Sequence, residues 1–170
     1  MINHPKVHNL KEHTSRHVRD VDSYERCLIP HKEMAGLGIG AILKNLDLTP
    51  GHGVEVKVFI PADCKRFAIN IGEDVSNINL HFNPRFDHEG DVHRIVCNSL
   101  TDNVWGSECR EDCFPFHQGA ETTIDFEFQD DKINIKLDSG EEMSFPLTKT
   151  LTKVSFLSLE DVQLKTITIL

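Results

Sequence analysis

His81, Asn83 and Arg85 recur at every second residue of NINLHFNPRF. In an extended strand that spacing puts all three on one face, with Asn79, and sends Ile78, Leu80 and Phe82 to the other. A second stretch, HRIVCNS (93–99), alternates in the same way: Ile95 and Cys97 turn inward, while Arg94, Val96 and Asn98 turn outward. A third, WGSECR (105–110), carries Glu108 and Arg110 on one face just after Trp105, the only tryptophan of the chain. Arginine and asparagine donate in fixed planar geometries, a carboxylate accepts, and a neutral imidazole can do either. A sugar offers hydroxyls that donate and accept together, and an apolar C–H face that suits an indole ring. Arg85 and Arg110 flanking Glu108 would orient its carboxylate through charge-assisted bonds. The plainer reading is the ordinary wet face of a half-buried sheet, with the tryptophan in the core. The order and spacing of the whole set favour the sugar platform.

A hydrolytic use of the same row fits less well. Glycoside hydrolysis needs two carboxyls facing each other about 5–9 Å apart across the scissile bond. Glu108 has arginine neighbours and no evident facing carboxyl in the sequence. No metal set emerges either. His4/His8 and His13/His17 are i,i+4 pairs, but no third or fourth ligand follows at a matching spacing. Neither a metal nor a cofactor is therefore expected. Cys27, Cys64, Cys97, Cys109 and Cys113 make an odd count without a CxxC pair, which fits free thiols in a reducing compartment. Cys109 and Cys113 would share a strand face, too far apart for a disulfide.

The elements that must carry these residues read as strands. VEVKVFI (54–60), KRFAINI (65–71), NINLHFN (77–83), HRIVCNS (93–99), TTIDFEF (122–128) and KINIKLD (132–138) all alternate. EEMSF (141–145), VSFLSL (154–159) and VQLKTITIL (162–170) follow, with turn residues between them. Many short strands and no convincing helix predict an all-β, antiparallel two-sheet sandwich or barrel. Pro84 cannot donate to a ladder, so an edge or bulge is expected there. The last strand is apolar on both faces: Val162, Leu164 and Leu170 on one, Ile167 and Ile169 on the other. Such a strand is either sandwiched in the core or covered by a second subunit, so the sequence admits a homodimer.

The chain has 170 residues, a net charge of −9 and a pI near 5.5. Its length suits one domain with a tail. Residues 1–33 hold six basic and five acidic side chains and half of the ten histidines; the remainder carries −10. Composition changes near Met34, so residues 1–33 read as a polar His-rich extension, a tail or a short helix, and residues 34–170 as the domain. The acidity argues against nucleic acid as a partner. No apolar run reaches the roughly 20 residues of a membrane helix, and the first thirty residues lack the apolar core of a signal peptide. Synthesis in the cytosol is the expectation.

The three motifs in order, His81-Phe-Asn83-Pro-Arg85, Val96-Cys-Asn98 and Trp105-Gly-Ser-Glu108-Cys-Arg110, resemble the galectin signature H-x-N-P-R … N … W-x-x-E-x-R. Phe114-Pro115-Phe116, Ser144-Phe145-Pro146 and Asn45–Gly51 are similar to further runs of that family. The resemblance spans roughly Ala41 to Leu170 and does not include residues 1–33. It implies a jelly-roll β-sandwich, galectin- or concanavalin-like, that is a lectin for β-galactosides of the lactose or N-acetyllactosamine type on glycoproteins or glycolipids. By family role His81, Asn83 and Arg85 would bond the galactose and its neighbour, Asn98 a further hydroxyl, and Trp105 would stack under the ring. Glu108 and Arg110 would reach the second sugar and orient Arg85. Glu89, Asp91 and Val96 would border the site. The resemblance also implies homodimers, and unconventional secretion from the cytosol to the outside of the cell. Some members carry a histidine where Glu89 stands; with Asp87 and Asp91 the loop is acidic and is expected to disfavour anionic substituents. A protein-interaction module on the same fold is the alternative, a glycoside hydrolase the more distant one.

Overall fold

The computed structural model describes residues 39–170. The boundary at Met34 and the tail-or-helix alternative for residues 1–33 lie outside the described residues. Twelve strands run in chain order: β1 (Ile39–Leu48), β2 (Gly53–Phe59), β3 (Ala68–Asp74), β4 (Asn77–His88), β5 (Asp91–Thr101), β6 (Val104–Trp105), β7 (Cys109–Glu111), β8 (Glu121–Phe128), β9 (Lys132–Leu137), β10 (Glu142–Pro146), β11 (Val154–Glu160) and β12 (Gln163–Ile169). There is no helix among the described residues. One sheet has the order β1-β11-β3-β4-β5-β6, with β7 also paired to β5; the other runs β10-β9-β8-β2-β12. All pairings are antiparallel, so the expected two-sheet sandwich is what forms.

Alternation builds the core. Val54, Val56 and Val58 of β2, Ile124 and Phe126 of β8, Ile69 and Ile71 of β3, Leu80 and Phe82 of β4 and Ile95 of β5 are wholly buried. Phe82 meets Phe126 edge-on across the sheets, with ring centroids 5.6 Å apart, a favoured geometry for aromatic quadrupoles.

Two places differ from what the sequence leads one to expect. The first is in β12, where a register shift between Leu164 and Thr166 inserts a residue. Leu164 and Ile167, assigned to opposite faces by strict period two, therefore both pack against the core. The second concerns Pro84, which lies inside a central strand rather than at an edge or bulge. Its carbonyl accepts from the Phe67 N–H at 3.0 Å, and the Phe67 carbonyl, robbed of a proline N–H, accepts instead from Asn83 Nδ2 at 2.6 Å. The side chain before the proline thus supplies the missing ladder donor.

Candidate functional site

That substitution fixes the first site residue. With its amide nitrogen on Phe67, Asn83 turns Oδ1 toward Arg85 Nε, 3.0 Å away. Arg85 is almost fully buried, so its guanidinium needs several acceptors. Nη1 reaches Asp91 at 3.0 Å and Glu89 at 3.1 Å, and Nη2 faces Glu108 at 3.6 Å. The other Asp91 oxygen takes Arg110 Nε at 3.1 Å, and Arg110 Nη2 returns to Glu108 at 2.6 Å. Asp91 is thus the clamp between the two arginines. The Arg110 hydrogen bond, with Arg85 behind it, holds its carboxyl below the usual range. Two cations and two carboxylates, Asp91 and Glu108, close this ring, and Glu89 adds a third carboxylate to Arg85 from its exposed side.

His81 is fixed from the other side. Its Nδ1 lies 2.6 Å from Asn70 Oδ1. The Asn70 amide nitrogen donates to Glu160 Oε1 and Ser158 Oγ, both at 3.0 Å. A carboxylate only accepts, so Asn70 must present oxygen to the ring, and Nδ1 must carry the proton. The free Nε2 is then an acceptor. Burial depresses the His81 pKa, and Arg66 and Arg85 push the same way against the Glu160 charge, so the ring is neutral near pH 7. Arg66 itself is held by Glu160 at 3.0 Å and by Asp161 at 3.6 Å.

Trp105 arrives through a two-residue turn. Asp102 and Asn103 have φ of 50° and 64°, the left-handed pair that suits the twist of a hairpin. The turn sets Trp105 opposite Leu100 on the strand next to Asn98. The indole is half exposed, and its centroid is 5.0 Å from that of His81. Gly106 follows because the chain runs close here: a Cβ at this position would stand 3.1 Å from Ser99 Oγ and 3.2 Å from Asn98 Oδ1.

The result is an open groove of about 430 Å³. His81, Asn83, Arg85, Asn98, Trp105, Glu108 and Glu89 all line it, so β4, β5, β6 and the approach to β7 bring these sequence-predicted residues together. Asp91 and Arg110 stand behind it as supports for Arg85 and Glu108. Val96, paired with Asn83 and Arg110, is only 1% exposed and acts as floor rather than border. Arg66, Asn70, Glu160 and Ser158 were not singled out by sequence. Asn70 stood in an alternating strand, but its role depends on β11 lying beside β3, which no local pattern announces.

A sandwich whose concave polar row surrounds one exposed indole defines a sugar-binding protein, a lectin. The sequence profile of the Galactoside-binding lectin family matches residues 40–169. Galectin-1 of Rhinella arenarum is 57% identical over 129 residues, covering 76% of this chain and 96% of that one. Toad ovary galectin in complex with thio-digalactose superposes with a TM-score of 0.77 at 54% identity, over 79% of this chain and all of that one. CG-16, a homodimeric agglutinin from chicken liver, does so with 0.73 at 40%, over 76% and 98%. The chain belongs to the galectin family. These are carbohydrate-binding lectins and not enzymes, which sets the hydrolase alternative aside.

Proposed function

We propose that this groove binds β-galactosides of the lactose or N-acetyllactosamine type, with the galactose ring stacked on Trp105. The observation that carries the reading is the convergence of His81, Asn83, Arg85, Asn98 and Glu108 on one groove beside a half-exposed indole. The axial hydroxyl of galactose stands on one ring face and leaves the other a continuous C–H surface. Stacking that surface on Trp105 turns the axial hydroxyl toward His81, Asn83 and Arg85. The hydroxyl can donate to His81 Nε2 and accept from Arg85, which lines the same groove. Asn98 serves a further galactose hydroxyl, and Glu108 with Arg110 the second sugar.

A disaccharide of about two dozen heavy atoms, at about 0.3 kcal/mol each, gives about 7 kcal/mol, a micromolar Kd at best. Firm attachment to a glycan-covered surface then needs two linked sites. A homodimer supplies them. Support comes from the homodimeric chicken relative and from β1 and β12, which touch at the outer edges of the two sheets with Ile42, Ile169 and Leu170 exposed. The test is calorimetric titration with lactose and with cellobiose, which differs at the axial hydroxyl. Lactose should bind in the micromolar to millimolar range and cellobiose not measurably. Equal binding of the two would refute the reading.

A further inference from the structure

The β4–β5 hairpin turns through Glu89 and Gly90, both in the left-handed region with φ of 52° and 86°. Two such residues make the tight turn that matches strand twist, and they leave His88 and Asp91 as the facing pair at its mouth. Facing partners in an antiparallel ladder project from the same face of the sheet. Asp91 is the clamp on Arg85, so His88 stands on the groove side, and it lines the groove together with Arg66, Arg85 and Glu89. No contact in the proposed sugar row uses it. Its side chain is 35% exposed, and Nε2 lies 3.8 Å from Glu89 Oε1. The other oxygen of that carboxylate holds Arg85 Nη1 at 3.1 Å.

The charges around this imidazole lean negative. Glu89 and Asp91 belong to its own hairpin, with Asp87 one residue before it, and Glu108 lines the same groove. Arg85 and Arg110 are taken up by Glu89, Asp91 and Glu108. Arg66 is taken up by Glu160 and Asp161. Lys65 touches the hairpin through its backbone, where its carbonyl accepts from the Asp87 N–H at 3.2 Å. With His88 neutral, the charge that an incoming anion meets at this rim is the exposed Glu89 carboxylate. An imidazole changes charge between about pH 5 and 8. A protonated ring donates to Glu89 Oε1 and sets one positive charge beside the groove.

We propose that His88 is a proton-dependent selector for anionic galactosides: neutral, it leaves Glu89 to repel a sulfate or carboxylate carried by the sugar, and protonated, it offsets Glu89 and admits that group. This selection rests on the galactoside reading of the groove. It is separate from the effect of charging His81, which meets the galactose itself and weakens neutral and anionic sugars alike, so the ratio of the two affinities isolates it. One unit of charge this close to a singly charged group at a wet groove changes Kd by about fourfold.

The full chain is titrated between about pH 7.5 and about pH 5.5 with lactose and with lactoses sulfated on each galactose hydroxyl in turn except the axial one. A sulfate ester stays ionised throughout. For the sulfate that faces the loop, the Kd relative to lactose should fall about fourfold on acidification. The midpoint of that fall should coincide with the titration of the His88 ring followed by NMR. His88→Gln should keep the high-pH ratio throughout, and His88→Arg should show the low-pH ratio already at about pH 7.5. A ratio that stays flat in the parent for every sulfated sugar, that falls as far in His88→Gln, or that follows another histidine would overturn the proposal. A parent that ignores lactose defeats the galactoside reading and this selection with it, whereas lactose binding with a flat ratio defeats only the role of His88.

Discussion

Replacing Asn70 by alanine isolates how His81 is tuned, because Asn70 lines no part of the groove and acts only through its neighbours. Its amide makes three bonds, to Ser158, Glu160 and the His81 ring, at 3.0, 3.0 and 2.6 Å, and the residue is 4% exposed. Glu160 keeps Arg66, and the Ser158 hydroxyl can rotate. The His81 Nδ1–H is left unpaired in a part-buried position, which costs about 2 kcal/mol. For a domain of this size that corresponds to a fall in Tm of roughly 8 °C. The sugar affinity should drop separately, because the ring loses both its orientation and its enforced tautomer. Loss of about 1 kcal/mol at the His81 Nε2 acceptor predicts roughly a fivefold weaker lactose Kd. Long-range proton–nitrogen NMR, with His81 assigned from a His81→Gln variant, reads the tautomer directly. The parent should show an unprotonated Nε2 and the Asn70→Ala variant a mixture. A parent protonated at Nε2, or a variant with the parent's lactose Kd, would refute the relay from Glu160 through Asn70 to His81.

Three further outcomes follow from the same geometry. Asp91→Asn keeps the shape of the clamp but removes the charge that Arg85 and Arg110 share; thermal melting should show a loss of about 2 kcal/mol, and titration a roughly tenfold weaker lactose Kd. His81 resists protonation in the fold while its unfolded counterpart titrates near 6.5, so the unfolded chain binds more protons below that pH. Stability from this group is full above about pH 6.5 and is lost as pH falls toward the depressed folded value, and lactose affinity should decline in step once the ring charges; Asp91, also depressed, adds its loss only below about 3.8. Glu89 is exposed and sits on Arg85 Nη1 at 3.1 Å, so a sulfate directed at this loop meets a carboxylate first. Glu89→Gln should narrow the gap between lactose and loop-facing sulfated lactose, measured by competition; tighter binding of that sulfated sugar by the parent would contradict the acidic-loop argument.

Much of this site was legible because a strand writes its faces into the sequence with period two. His81, Asn83 and Arg85 were placed together by spacing alone, and the sandwich followed from repeated alternation and turns. Fixed-period reasoning failed where the backbone departs from the period. The inserted residue between Leu164 and Thr166 turned a strand that read as apolar on both faces into one with Leu164 and Ile167 on the core side. Pro84 read as an edge signal because its lost N–H had no visible substitute; the substitute was the side chain one position before it. Three strands escaped for different reasons. β1 is a mixed run, IGAILKNLDL, without clean alternation, and β6 and β7 have two and three residues, too few for any period. The residues behind the groove, Asn70, Glu160 and Ser158, come together only through the β11-β3-β4 strand order, which is a matter of topology and not of local pattern.

The central claim is that galactose is held by the polar row and the Trp105 face together. The most direct measurement is retention on immobilised lactose, followed by elution with free lactose, of the parent and of Trp105→Ala compared side by side after both are shown to be folded. The account predicts that the parent is retained and released by lactose but not by cellobiose, and that Trp105→Ala, with its half-exposed indole gone and the core untouched, passes straight through. A folded parent that flows through the column, or a Trp105→Ala variant retained as well as the parent, would contradict it.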